Sequence, residues 1–325
     1  DMDAAVEVLK KSGAAKAEKK AARIAAEGIA KVAIDGNTAV VVEVNSETDF
    51  VAKNAIFQEF VQAVADKALT VDTEKAGDGE DVVSILDMKA DLDDKILKIG
   101  EKISIRRFEK VTADVVASYI HGGGRIGVLV AGNGASDDAA KEALTNIAMQ
   151  IAAMNPQYIS RDEISADELA KMKEITIDSA LNDPFSLPKP VLSKLIEKAV
   201  AGVWSAEDVA IYEEKKSNMN FLPNFLSKEA KAQLAEIACA DKEEISGNKI
   251  FSGLVEGRIS KQMKEICLLD QVYVKAEDGK QTVAAYLKSV NPALKIAKFV
   301  RFEVGEGMEK KNEDFAAEVA KQMNV

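Results

Sequence analysis

Two β-hairpin patterns, each followed by an amphipathic helix, constrain the fold of this chain more than any other feature of its sequence. In the first pattern, β-branched runs at residues 31–34 and 39–44 flank an Asp-Gly-Asn turn. In the second, strand-forming runs at residues 115–120 and 125–130 flank a glycine-rich turn that begins at His121. Apolar runs around tight glycine-containing turns are typical of β-hairpins, so each segment is predicted to form an antiparallel strand pair.

The elements that follow each hairpin occur in the same order. An amphipathic helix is predicted around residues 57–64 after the first hairpin and over residues 137–153 after the second. Alternating sequences at residues 102–108 and 298–304 then predict one return strand for each sheet. We interpret this order as two related α/β units, so the predicted fold class is α+β, with small antiparallel sheets that carry helices on one face.

A long helical insertion separates the helix of the second unit from its return strand. The segment Ser165-Ala-Asp-Glu168 matches a capping box and predicts a helix that ends near residue 181. Residues 249–265 predict a second helix that returns antiparallel to the first. The intervening residues 182–249 predict several short helices, and their role is left open.

The beginning of the chain predicts a short helix and a basic stretch. Residues 3–11 have helical apolar spacing, and Gly13 stands where a helix C-cap is expected. Residues 14–26 predict a second, basic helical segment that includes Lys20. A short amphipathic helix cannot bury its apolar face alone, so the first helix either packs on the rest of the chain or is the last piece of a helical module.

The composition excludes several classes of function. One histidine excludes a multi-histidine metal site, and the two cysteines lack the CxxC spacing of zinc and redox motifs. They are expected to be buried thiols in a reducing compartment. A net charge of -11 argues against direct binding to nucleic acid. No apolar run reaches the roughly 18 residues that a membrane span needs, and the common phosphate-loop, dinucleotide and nucleophile-elbow motifs of enzymes are absent. We therefore expect no enzymatic activity, no cofactor and no metal.

Two segments allow either a structural or a functional interpretation. In the segment Thr48-Asp-Phe-Val-Ala-Lys53, Thr48 or Asp49 could cap a helix while Phe50 folds back onto the core. Alternatively, Phe50 protrudes as an aromatic anchor for a pocket of a partner. His121 is either structural or functional, and the three glycines after it permit close approach by a partner surface.

At these residues the sequence resembles the elongation factor Ts family of translation factors. The similar segments are residues 44–54, which include Thr48-Asp-Phe-Val, residues 118–130, residues 299–310 and the opening residues 3–20. The order of these segments is that of the family. The chain departs from the family pattern at Ser46, where many members have Cys, and at Gln271-Val-Tyr-Val274, where Gln-Pro-Phe-Val is usual.

The resemblance implies a guanine-nucleotide exchange factor that acts in translation elongation on elongation factor Tu, in its GDP-bound and nucleotide-free forms. By this resemblance, Phe50 is inserted between two helices of the partner's G domain near the magnesium and phosphate site, with Asp49 as its polar companion. Neighbours Thr48 and Val51 would share that contact, Ile99 would also meet the G domain, and His121 would face another domain. Lys20 is a further partner-binding candidate.

The resemblance also implies the domain organisation and the location of the protein. The implied segments are a remnant of an N-terminal three-helix module at 1–13, a helical linker at 14–30, a first α/β core unit at 31–110, a second core unit at 111–160 and 271–306, a coiled-coil-like helical insertion at 161–270 and a C-terminal helical module at 307–325. The expected location is cytoplasmic, with no direct contact to nucleic acid or membrane. A non-catalytic adaptor on the same scaffold is the alternative, and a homodimer is left open.

Overall fold

The structure, a computed structural model, describes residues 2–77 and 80–310, with the side chains of residues 2–4 and 10 excepted. Residues 160–271 form one compact unit, called the second unit from here on, and the remaining described residues form the other, called the first unit. These names replace those of the two predicted α/β units. The predicted C-terminal helical module at 307–325 falls almost wholly on residues 311–325, outside the described part of the chain.

The first unit contains two antiparallel sheets. One sheet has the strand order β1-β2-β4-β3 and the other the order β5-β6-β7. The strands are β1 (Glu27–Asp35), β2 (Thr38–Ser46), β3 (Lys75–Ala76), β4 (Ile103–Thr112), β5 (Val115–His121), β6 (Ile126–Asn133) and β7 (Lys295–Glu303). The helices of this unit are α1 (Met2–Lys20), α2 (Asp49–Ala52), α3 (Ala55–Thr70), α4 (Val82–Leu86), α5 (Lys89–Ile99), α6 (Asp138–Met154) and α13 (Val283–Val290). Both predicted hairpins and both return strands are present, which confirms the α+β class.

Strand β2 is the centre of this unit because it is buried on both faces. Val40, Val42 and Val44 face one core, in which α3 packs against the first sheet. Ala39 and Val41 point the other way, into a cluster that also contains residues of the second sheet. Alternate side chains of a strand point to opposite faces, so an almost continuous apolar run is what a strand between two layers requires.

The predicted end of the first helix at Gly13 is wrong. Helix α1 continues through Gly13 to Lys20, and Gly13 is buried, with a Cβ position only 3.3 Å from the carbonyl oxygen of Asp93 in α5. Close packing of α1 on α5 therefore explains this glycine better than a helix terminus does. The predicted helical linker at 14–30 is also wrong beyond Lys20, because β1 already begins at Glu27, where the chain pairs with β2.

The second unit is helical throughout its regular structure. It contains α7 (Ala166–Asn182), α8 (Lys189–Gly202), α9 (Ala206–Lys215), α10 (Lys228–Ala240), α11 (Lys242–Ser246) and α12 (Lys249–Ile266), with short 3₁₀ turns at Arg161–Glu163, Pro184–Ser186, Leu222–Asn224 and Leu268–Asp270. The capping box predicted at Ser165 and Glu168 is present at the start of α7. The helices enclose one apolar core that includes Trp204, whose indole N–H donates to the carbonyl oxygen of Ala230 at 2.9 Å.

Both cysteines are free thiols, and they differ in burial. Cys267 is buried, and burial raises the pKa of its thiol. Cys239 is exposed, so the prediction of two buried thiols is wrong for this residue. Its helix α10 directs Ala230, Leu234 and Ala238 into the core, and the position next to Ala238 therefore faces solvent.

The buried carboxylate of Asp208 joins helices α9 and α10 of the second unit by hydrogen bonds. Asp208 in α9 accepts hydrogen bonds from the Ser227 backbone N–H at 2.9 Å, the Ser227 hydroxyl at 2.8 Å and the Ser205 hydroxyl at 2.8 Å. These bonds, the backbone one above all, hold the pKa of Asp208 below its ordinary value. Ser227 is the N-cap of α10, so Asp208 ties the start of one helix to the start of another.

We expect Asp208→Ala to lower the free energy of unfolding of the second unit by about 1.5–3 kcal/mol, because bonds to a charged group are lost in a buried place. The emission of Trp204, the single tryptophan of the chain, reports this transition during urea unfolding. Because the folded-state pKa is lowered, the stabilisation is present above the unfolded pKa of about 3.9 and is lost as the pH falls through the folded value.

The exposed neighbour Glu207 provides the control for this experiment. Glu207→Ala should change the same free energy by less than about 1 kcal/mol, because a solvated charge in the first turn of a helix contributes little. Equal effects of Glu207→Ala and Asp208→Ala, or a stability of the Asp208→Ala variant that keeps the wild-type decline in acid, would contradict the assignment.

Candidate functional site

The predicted aromatic anchor Phe50 lies on an exposed turn directly after β2. Thr48 is the N-cap of the four-residue helix α2, and its hydroxyl accepts a hydrogen bond from the Val51 backbone N–H at 3.4 Å. Ala52 is buried and Val51 packs partly on the first core, whereas the Phe50 side chain is 80% exposed. The capping part of the structural interpretation is therefore confirmed, but Phe50 does not fold back onto the core.

Asp49 presents a negative charge beside the exposed ring of Phe50. Lys53 lies one helical turn further along the chain, and its Nζ donates a hydrogen bond to Asp49 Oδ2 at 2.8 Å. This bond holds the pKa of the Asp49 carboxyl below its ordinary value, so the group is ionised at neutral pH. The surface around Phe50 thus combines an apolar ring with a charged pair.

Two other predicted site residues lie where helix α5 ends, next to the segment before Phe50. Ile99, the last residue of α5, is half-buried against the first core. The Lys20 ammonium donates a hydrogen bond to the carbonyl oxygen of Gly100, so this lysine joins the end of α1 to the end of α5. Glu101, which follows directly, accepts hydrogen bonds from the backbone of Glu47 and Thr48. The fold therefore brings the Lys20 and Ile99 positions to the Thr48–Phe50 turn.

His121 lies at the end of β5, at the exposed turn of the second hairpin. Its Nδ1 is 3.0 Å from the Tyr119 hydroxyl, and the two rings are in contact at 5.9 Å between centroids. Gly124 has a φ of +104°, and its Cβ position would lie 3.0 Å from the Cβ of Ile29 in β1. The close approach that the glycines allow is thus made, at Gly124, by the chain's own strand rather than by a partner.

Both candidate turns lie at the same end of β1. The first residue of β1, Glu27, pairs with Ser46, which immediately precedes the turn that carries Phe50. The second turn contacts the same end of β1, because Ala30 N–H donates to the Gly124 carbonyl oxygen at 2.7 Å. The structure therefore places Phe50 and His121, which are 71 residues apart in the numbering, on loops that border one strand end.

Glu101 is the residue of this region that sequence reasoning missed. It follows a helix-ending glycine on the surface, where a glutamate is ordinary, and its partners lie more than 50 residues earlier in the chain. No local pattern contains that pairing.

Among the residues that the structure describes, no group of three or more His, Cys, Asp or Glu side chains could hold a metal ion, and no helix is long and apolar enough to span a membrane.

Comparison with known proteins indicates the same family as the sequence motifs do. The family model described as "Elongation factor TS" matches residues 47–306. The chain is 39% identical to Elongation factor Ts of Clostridioides difficile strain 630 over 331 aligned positions, which cover 99% of this chain and 89% of that protein. It is 36% identical to Elongation factor Ts of Limosilactobacillus reuteri strain DSM 20016, with 100% of this chain and 89% of that protein covered. The chain therefore belongs to the elongation factor Ts family of translation elongation factors.

Proposed function

We propose that this translation elongation factor promotes the release of GDP from elongation factor Tu by inserting Phe50 into the partner's G domain. The observation that carries the proposal is the position of Phe50, which is 80% exposed on a turn whose neighbouring residues are fixed by capping and burial. An aromatic side chain on a turn that is already formed costs less backbone ordering on binding, and aromatic residues are frequent hot spots of interfaces.

Phe50 alone is too small a contact for the whole effect. Burying one phenylalanine contributes about 1.5–3 kcal/mol, whereas reversing a 99:1 preference for the nucleotide-bound form needs about 5.5 kcal/mol of differential affinity. The rest has to come from a wide interface. We propose that Thr48, Asp49, Val51, Ile99 and Lys20 extend the contact on the G domain, and that His121 meets a second domain of the partner.

The proposed partner states are GDP-bound and nucleotide-free elongation factor Tu. The chain would accelerate exchange without breaking a covalent bond, so this function needs no cofactor and no metal of its own. The net charge of -11 suits a protein partner better than tRNA or a membrane surface. We further infer that the protein acts in the cytoplasm, where elongation takes place.

A thermodynamic cycle tests the proposal against a simple adaptor role. If the chain weakens GDP binding to elongation factor Tu, GDP must weaken binding of the chain by the same factor. We expect titration calorimetry to give a tighter dissociation constant for nucleotide-free than for GDP-bound elongation factor Tu, with the reciprocal change for GDP. Equal affinities of the chain for the two forms would leave binding without exchange and would contradict the proposal.

A further inference from the structure

We infer that Glu101 is a positioning residue for nucleotide exchange, because it holds the turn that presents Phe50 in the orientation the partner meets. The inference rests on the proposed function, in which Phe50 contacts elongation factor Tu. Glu101 itself need not touch the partner, and it would act through the backbone of Glu47 and Thr48.

The turn needs an external support. Helix α2 contains only four residues, and an isolated helix of this length is not stable in water, because nucleation is costly and few hydrogen bonds follow. Val51 and Ala52 fasten its C-terminal half to the core. Phe50 belongs to the other half, beside the N-cap, where burial provides no support because the ring is 80% exposed.

Glu101 supplies that support with both of its carboxylate oxygens. Oε2 accepts hydrogen bonds from the backbone N–H groups of Glu47 and Thr48, each at 3.1 Å. Oε1 accepts a hydrogen bond from the Thr48 hydroxyl at 2.7 Å. Hydrogen bonds to an ionised acceptor are the stronger class, and three of them converge on two consecutive residues just before Asp49 and Phe50.

The hydrogen bond between Glu101 and Thr48 also affects how Thr48 caps helix α2. The Thr48 hydroxyl donates to Glu101 and also accepts from the Val51 N–H, so Glu101 fixes the rotamer in which Thr48 caps α2. Ser46 adds a local bond, since its hydroxyl donates to the Thr48 carbonyl oxygen at 2.9 Å. The direction in which the chain leaves β2 and enters α2 is therefore determined by a carboxylate 53 residues further along the sequence.

A reciprocal contact strengthens the arrangement. Glu47 Oε1 accepts a hydrogen bond from the Lys102 backbone N–H at 2.7 Å, and the Arg23 guanidinium lies 3.3 Å from the same oxygen. The segment before α2 and the segment after α5 thus each contain a glutamate whose carboxylate accepts hydrogen bonds from the backbone of the other segment. We call this pair of contacts, formed by Glu47 and Glu101, the carboxylate clamp.

Loss of the clamp should affect binding more than the exchange step. When only a fraction of molecules holds Phe50 in the competent orientation, the apparent dissociation constant for the partner equals the intrinsic one divided by that fraction. Binding can restore the orientation once the complex is formed. Glu101→Ala is therefore expected to raise the KM for GDP-bound elongation factor Tu by about 10-fold and to change kcat by less than about twofold.

The experiment measures GDP release from elongation factor Tu at varied partner concentrations, with the full chain and its variants. Glu101→Gln keeps an acceptor oxygen for the backbone N–H groups and can donate to the Thr48 hydroxyl, so its KM should stay within about threefold of the wild-type value. Thr48→Ala removes the hydroxyl that links the clamp to the cap and should raise KM in the same direction as Glu101→Ala. If Glu101→Ala does not fold, Thr48→Ala takes its place and is read together with amide hydrogen exchange, because Thr48 is itself proposed to contact the partner.

Two further measurements separate positioning from general destabilisation. Amide hydrogen exchange of the free protein should be faster at Glu47 and Thr48 in Glu101→Ala and unchanged in the strands. In a Phe50→Ala background, Glu101→Ala should have a smaller effect than in the wild-type chain, since Phe50 is the main group that the clamp positions. Asp114→Ala is the matched control. Asp114 Oδ2 also accepts a hydrogen bond from a loop backbone, the N–H of Gly134 at 2.9 Å, but this loop belongs to the second sheet.

The outcomes distinguish this inference from the proposed function. If the wild-type chain leaves GDP release unchanged, the proposed function fails and the inference fails with it. If the wild-type chain accelerates release but Glu101→Ala leaves KM unchanged, or acts equally in the Phe50→Ala background, only the inference is overturned. A raised KM in Glu101→Ala and Thr48→Ala, but not in Asp114→Ala, supports it.

Discussion

Replacing Phe50 with alanine is expected to lower kcat/KM for GDP release from elongation factor Tu by about 10- to 150-fold. This range corresponds to losing the burial of one phenylalanine side chain, about 1.5–3 kcal/mol, from the complex with the partner. The stability of the free protein should hardly change, because Phe50 is 80% exposed and packs on little of its own chain. Stopped-flow kinetics with fluorescent GDP and a thermal melt of the variant check both statements.

A second exposed phenylalanine provides the matched control. Phe221, in the helical unit formed by residues 160–271, is 58% exposed. Phe221→Ala removes the same side chain from solvent without altering the turn after β2, and it should leave kcat/KM within about threefold of the wild-type value. The role of Phe50 would be contradicted if Phe50→Ala kept wild-type kcat/KM, or if the two alanine variants lost activity equally.

The largest effect on stability is expected at Glu43, a fully buried carboxylate of β2. Glu43 Oε2 accepts a hydrogen bond from Arg107 Nε at 2.6 Å, and Oε1 is bonded by Arg106 Nη1 at 3.1 Å. The backbone N–H of Gly305, just after β7, also donates to Oε1 at 2.8 Å. One carboxylate therefore joins β2 and β4 of the first sheet to the chain that leaves the second sheet.

Glu43→Ala should lower the free energy of unfolding of the first unit by about 3–5 kcal/mol, because two partly buried arginines lose their counter-charge. Far-UV circular dichroism during urea unfolding measures this, with Trp204 emission to identify the separate transition of the helical unit. Glu306 provides the control, since its exposed carboxylate lies 3.4 Å from Arg107 and Glu306→Ala should cost less than about 1 kcal/mol. A cost for Glu43→Ala no larger than that of the control would contradict this account.

Local patterns were sufficient to predict most elements of the fold. The glycine turns with their flanking β-branched runs predict both hairpins, and the cap at Ser165 predicts the start of α7, as the structure shows. Both signals depend on residues close in sequence. The continuation of α1 through Gly13 was not predictable in this way, because it depends on packing against Asp93 of α5, 80 residues away.

The candidate site was predictable in part for the same reason. The sequence near Thr48 allowed two positions for Phe50, and in the folded chain Val51 and Ala52 pack on the core whereas the Phe50 ring lies in solvent. The support from Glu101 depends on a pairing that only the folded chain creates. Sequence patterns thus left the position of Phe50 open, and the structure shows that the ring protrudes and which contacts fix the turn beside it.

The most direct test of the proposed function is the rate at which labelled GDP leaves elongation factor Tu when the wild-type chain is added. The account predicts that the release rate increases with the concentration of the chain and reaches a plateau, and that the chain is recovered unchanged. Phe50→Ala, at the same concentrations, should give only a small part of this increase. A release rate that does not change at any concentration of a chain that demonstrably binds elongation factor Tu would contradict the account.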